Sequence, residues 1–179
     1  MHSALPQPSL FLLAFLASPA HAAYDVAFYS HEMQASGNGE RIVEFPHAFI
    51  TLRGRPDAGG RALDGNWGFT ADSISPAILA GPVKGRIAKA GKAYIRGSRR
   101  HIAFAMSDAQ FGSVQRAYKS WLAVTGASYS LETRNCVHFI AAMARAAGLA
   151  VPNDASLMKK PTAYLEAVAA QNPQVRVPG

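Results

Sequence analysis

The chain holds one cysteine, Cys136, and six histidines. Cys136 stands in Thr133-Arg134-Asn135-Cys136-Val137-His138-Phe139-Ile140. Asn is a strong helix N-cap, so Asn135 predicts a helix with Cys136 in its first turn. The unpaired N–H groups and the positive dipole end of such a turn favour a thiolate. Arg134 adds a cation next door, and the same N–H groups, capped by Asn135, offer donors to an oxyanion. Cys136 is therefore a candidate nucleophile, expected to have a lowered pKa and some contact with solvent. The competing expectation is a buried structural thiol, a common fate of free cysteine.

A thiol nucleophile needs a base that takes its proton and later protonates the leaving group. His2 and His21 fall in an N-terminal segment expected to be removed, and His31 sits near a turn. His138 is two residues after Cys136, about 200° away on a helix. His101 opens a strand beside Arg99 and Arg100. His47 opens the apolar run Ala48-Phe49-Ile50-Thr51-Leu52, which places it at a sheet rim, and it is the candidate base.

The elements that must position these groups divide the chain. Gly and Pro punctuate the first two thirds, which suits strands and turns; the last third is alanine-rich and suits helices. Strands are expected at 24–29, at 41–53 with a bend at Pro46, at 66–70 and at 101–106. Ser36-Gly37-Asn38-Gly39 reads as a turn and 54–60 as a loop. Ser75-Pro76 opens a short helical turn closed by Gly81, and 83–95 reads as a hairpin about Gly91. A helix is expected from Ser107 or Asp108 to before Gly126, with Phe111, Val114, Tyr118, Trp121 and Leu122 on its core stripe. A second runs from Asn135 to Gly148, and a third starts at Pro161. Strands first and helices last predict an α+β domain.

The order of Pro46-His47-Ala48-Phe49-Ile50 on a strand and Arg134-Asn135-Cys136-Val137-His138-Phe139 on a later helix resembles the permuted papain-like cysteine hydrolases. These are relatives of the NlpC-type cell-wall peptidases and of the lecithin-retinol acyltransferase family. The resemblance covers 41–148, and Asn135-Cys136-x-His138-Phe139 is close to the acyltransferase branch's nucleophile motif. It implies a circularly permuted papain-like fold, an antiparallel sheet packed on helices, with Cys136 and His47 as the catalytic pair. It also implies a third polar residue on the strand after the His strand. Asn66 and Asp64 are the candidates for it, and both also read as turn residues around Gly65. Thr51 shares a face with His47 but lies about 13 Å along the strand.

Composition bounds the partners. With 179 residues and 49% apolar content the chain is globular and holds one domain. Leu10 to Ala17 is an unbroken apolar run, broken by Ser18-Pro19 and followed by Ala20-His21-Ala22, which predicts a signal peptide over 1–22. That run is shorter than the about 20 residues a spanning helix needs. The domain is expected over 23–170, a loose tail over 171–179, and the protein secreted, to the periplasm. One cysteine forms no internal disulfide. Metal-ligand spacing is absent and no cofactor is expected.

The net charge is +7, and Lys84, Arg86, Lys89, Lys92, Arg96, Arg99 and Arg100 fall within seventeen residues. That stretch reads either as a solvated face or as a footprint for an anionic partner, with Arg96, Arg99 and Arg100 as the contacts. Peptidoglycan or another anionic envelope polymer fits best, a lipid surface next, and nucleic acid is not expected because stacking rings are lacking. Three functions remain: a thiol hydrolase that cleaves an amide, a cell-wall peptide bond first among them; a lipid-directed acyltransferase or thioesterase; and an inactive binding module of the same fold. A polar groove beside Cys136 favours the first, an apolar apron the second.

Overall fold

The computed structural model describes residues 24–32, 46–55 and 61–177. The expected signal peptide, the turn at 36–39, and Ile42 and Phe45 of the expected second strand lie outside them. The fold is α+β. Its sheet has five antiparallel strands in the order β4-β3-β2-β1-β5: β1 Tyr24–His31, β2 His47–Gly54, β3 Leu63–Ala71, β4 Gly85–Ala88 and β5 Arg99–Met106. The first four form a meander, and the chain then crosses back to lay β5 against β1.

Three helices cover one face: α3 Asp108–Leu122, α4 Cys136–Ala146 and α5 Pro161–Gln171. Side chains alternate across each strand, so Val26 and Phe28 of β1, Ala48, Ile50 and Leu52 of β2 and Phe69 of β3 join Phe139, Ile140, Met143, Leu165 and Val168 in one core. The opposite face carries Tyr29, His31, His47 and Phe49. It is partly covered by the short helix α2 Lys92–Arg96, whose Tyr94 ring lies 3.9 Å from that of His31.

Local signals set the helix ends. Ser107 accepts the Gln110 N–H while the Gln110 side chain accepts the Ser107 N–H, a complete capping box for α3. Gly148 takes φ +86° after α4, and the Gly148 and Leu149 N–H groups close onto Arg145 and Ala144.

Three expectations are corrected. Residues 83–95 are not a hairpin: β4 ends at Ala88, and Gly91 is the N-cap of α2. Leu122 leaves the core stripe and is half exposed. The tail is tied down through its described part, because Arg176 bridges Ile102 and the Val177 N–H donates to the His101 carbonyl at 2.9 Å.

Candidate active site

Cys136 is the first residue of α4, and Asn135 is its N-cap, as the sequence predicts. The Asn135 Oδ1 accepts from the N–H groups of Val137 (2.8 Å) and His138 (3.2 Å), while its Nδ2 donates to the carbonyls of Leu131 and Met158, both at 2.8 Å. Every polar valence of this buried amide that those partners can meet is met, so Asn135 locks the turn 131–135 and the 158 loop onto the start of α4. His138 completes the cap, with its Nδ1 accepting the Asn135 N–H at 3.4 Å. Spacing alone had excluded His138 from the site, and its capping use was missed.

The sulfur of Cys136 sits in a cradle of backbone. The backbone N–H groups of Ala48, Val137 and Cys136 itself pull its pKa down, that of Val137 being already given to the Asn135 Oδ1. Burial pulls harder the other way: Cys136 is 6% exposed and belongs to the core, and its thiol is pushed up to about 11. The expected lowered pKa and solvent contact are corrected, because desolvation of the anion outweighs the helix terminus. Arg134 does not help the thiolate either. Its guanidinium lies 3.8 Å over the Trp121 ring and 5.2 Å from Phe69, and Nη2 donates to the Trp121 carbonyl.

His47 opens β2, and the residue after it, Ala48, supplies the N–H that reaches the sulfur. Its ring, however, is on the other face. It stacks with Phe49 at 6.4 Å, and a Cβ built on Gly68 would come within 2.3 Å of its Nε2. Cys136 and His47 therefore meet through the backbone of Ala48, with the thiol on the helix side and the imidazole on the side of Phe49 and Gly68. His47 stands directly across from His31 in the β1–β2 ladder. Burial first, and the neighbouring His31 second, hold its pKa down at about 4.

The candidate third residues are elsewhere. Asn66 pairs across from Thr51, four residues along from His47, and its amide exchanges two hydrogen bonds with the backbone of Ala90, fixing the turn into α2. Asp64 is ion-paired with Arg53 at 3.1 Å on the surface. The polar neighbour of His47 is His31, whose Nδ1 is 3.0 Å from the Ser98 Oγ. Its burial was not legible from a place near an expected turn.

Further polar groups lie on the helix side of the sheet. Ser30, across from Ala48, has its Oγ 2.8 Å from His101 Nε2 and accepts from Thr162 Oγ1 at 2.9 Å. His101 is held down at about 4 by burial and, less, by Arg99. Tyr129 is close enough to Cys136 for a thiolate to oppose its ionisation; burial and that charge push it up to about 12. Among the described residues no group of His, Cys, Asp and Glu is placed to hold a metal ion.

The basic stretch is not one surface. Lys84 and Arg86 both bind Asp72 at 3.2 Å. Arg99, across from Ser30, turns to Glu166 of α5, whereas Arg100, across from Tyr29, lies on the opposite face. There Arg100 joins Asp25, Tyr29, Thr51, Arg53 and Asp64 around a groove of about 420 Å³. Arg96 is in the last turn of α2. No helix among the described residues is long and apolar enough to cross a membrane. No family model, curated protein or solved structure matches the chain.

Proposed function

We propose that the chain is a secreted thiol hydrolase of the permuted papain-like kind that cleaves an amide, with a cell-wall peptide bond as its substrate. The observation that carries the reading is the approach of the Ala48 and Cys136 N–H groups to the Cys136 sulfur at a capped helix terminus. Donors placed around a nucleophile are also placed to hold the oxyanion it generates.

Chemistry in this reading begins from a neutral pair. Burial pushes the Cys136 thiol up to about 11 and holds the His47 imidazole down at about 4, so both groups rest uncharged at pH 7. The reading requires a rearrangement at the start of β2 that brings the His47 imidazole to the sulfur, since the Ala48 backbone separates the two in this structure. The Cys136 sulfur then adds to the carbonyl carbon as its proton passes to His47. The imidazolium gives that proton to the leaving nitrogen as the C–N bond breaks, and water releases the acyl group from sulfur. Arg96 and Arg100 are the members of the predicted contact set without an ion pair among the described residues. In this reading they hold a part of the anionic polymer that lies on the face of the sheet away from the sulfur.

The burial of Cys136 also favours a second reading, a binding module that keeps the fold without turnover. Incubation with purified peptidoglycan and mass analysis of released peptides separates the two. The hydrolase reading expects products that vanish in Cys136→Ala and fall at least a hundredfold in His47→Ala, on the scale of general-base catalysis. Product release that survives Cys136→Ala, or no release from any wall peptide, overturns it.

A further inference from the structure

Residues 73–83 are Ser-Ile-Ser-Pro-Ala-Ile-Leu-Ala-Gly-Pro-Val, an uncharged run between Asp72 and Lys84. They leave the sheet at the end of β3 and return at the start of β4, with the helical turn α1, Ala77–Ala80, at the tip. A projecting connection of this kind is ordinarily polar. This one is apolar and bare: Leu79 is 83% exposed, Ile74 is 57% exposed, and α1 buries none of its residues.

The base of the lobe is firmly built. The Asp72 N–H donates to the Lys84 carbonyl at 2.8 Å, and the Asp72 carboxylate takes both Lys84 and Arg86. Val83 exchanges two backbone hydrogen bonds with Tyr129, each 2.9 Å. The chain leading to Tyr129 carries Leu122 and Val124, which with Ile74 and Leu79 are the large exposed apolar residues among the described residues. Apolar side chains thus stand on both arms of the Val83–Tyr129 bridge. Lys84 and Arg86 follow the lobe and share the one carboxylate of Asp72, which leaves a net positive charge at its base, and Lys119 precedes Leu122 by one turn.

We propose that the 73–83 lobe, with Leu122 and Val124, is a docking surface for an anionic lipid bilayer, dipping Ile74 and Leu79 below the headgroups. An apolar tip over a base of net positive charge is the pattern that binds such an interface, by burial of apolar area plus attraction to anionic lipid. The chain's net charge of +7 acts in the same direction. A bilayer supplies an apolar layer and anionic headgroups together, whereas a soluble partner would have to build both at matching positions. The inference goes beyond the hydrolase reading and stands without it.

Sedimentation with vesicles of phosphatidylcholine and phosphatidylglycerol tests it. The protein should bind them, bind pure phosphatidylcholine vesicles more weakly, and be released as salt rises, because exposed charges are screened beyond about 8 Å at physiological ionic strength. Ile74→Ser with Leu79→Ser should weaken binding by roughly tenfold to a hundredfold, the transfer effect of two partly exposed aliphatic side chains, with the thermal melt unchanged. A tryptophan at the tip, Leu79→Trp, should be quenched by brominated lipid beyond the parent signal. That arm reads the lobe itself, so an apolar N-terminal segment cannot imitate it. Vesicle binding indifferent to the double substitution, no added quenching, or a dimer that Leu79→Ser dissolves without any vesicle binding would each overturn the proposal. None of these outcomes depends on peptide release.

Discussion

Gly68 exists, in physical terms, to leave room for His47, and Gly68→Ala tests how that imidazole is seated. A methyl there would sit 2.3 Å from His47 Nε2 and 3.1 Å from both His47 Cε1 and Phe49 Cβ. The ring must move by about an ångström to restore ordinary contact, and the backbone-anchored Phe49 must yield by a few tenths. Overpacking of this kind costs about 1–3 kcal/mol, offset by about 0.4–1 kcal/mol from the stiffer unfolded chain. The φ of Gly68 is not in the left-handed region, so backbone strain adds nothing. The net expectation is a loss of about 0.5–2 kcal/mol in urea unfolding. It should come with a rise of the His47 pKa from about 4 toward its ordinary value, read by NMR titration, as the ring leaves its seat beside His31. Two comparisons sharpen the reasoning. In a His47→Ala background most of the clash is gone, so Gly68→Ala should cost little, giving a coupling of about 1–2 kcal/mol. Gly112→Ala, inside α3 with only the Arg116 Nη1 at 3.6 Å, should instead stabilise by about 0.5–1 kcal/mol. A Gly68→Ala variant as stable as its parent, with His47 titrating as before, would show that the ring is not where the glycine makes room.

Asn135→Ala removes a cap worth about 0.5–2 kcal/mol and leaves the Leu131 and Met158 carbonyls without their donor, for a total of about 2–4 kcal/mol in urea unfolding. Asn135→Asp keeps the cap but sets carboxylate oxygen against those carbonyls, so it should recover less than half; recovery to within about 0.5 kcal/mol would remove the two carbonyl bonds from the argument. For His101, the folded pKa is lowered from 6.5 to about 4. The unfolded chain therefore binds the proton first, and stability present above pH 6.5 is lost as the pH falls toward 4. The loss reaches at most about 3 kcal/mol, with His47 acting in the same window, and His101→Gln should flatten that part of the profile. Equal urea midpoints at pH 7 and pH 4.5 would contradict the burial of a neutral His101.

What was legible in the sequence is what depends on neighbours along the chain. Asn135, Ser107 and Gly148 are caps by residue type and position, and α4 and α3 begin and end where those residues say. Gly91 misled because a glycine between short apolar stretches serves a turn and a helix N-cap alike, and only the clamp of Asn66 on Ala90 decides between them. The face of His47 was harder. Phe49 on one side of β2 and Ile50 on the other are both bulky and both buried, so alternation does not reveal which side meets the helices. A shift of one residue reverses the assignment. The answer lies in the partners: Ala48 meets α4 and Gly68 receives the ring, and both follow from register, which no local pattern carries.

The same distinction governs the thiol. A helix terminus contributes about 0.3–1 kcal/mol to a nearby charge, up to about 2 kcal/mol in partly buried places, and its presence can be read from Asn135. Desolvation depends on how the core closes around the sulfur, and each pKa step it imposes costs about 1.4 kcal/mol. With the Cys136 thiol at about 11, desolvation exceeds the dipole and all the converging N–H groups together. The two contributions respond differently to an opening of the site. The cradle is backbone held by the Asn135 cap and the β2 ladder, so it persists; the desolvation falls as soon as water or a polar substrate reaches the sulfur. A thiol in this setting is inert while covered and gains anionic character on exposure, because the N–H groups that stabilise the anion are already in place. In this fold, cover over the sulfur weighs more in the protonation of Cys136 than the helix terminus does.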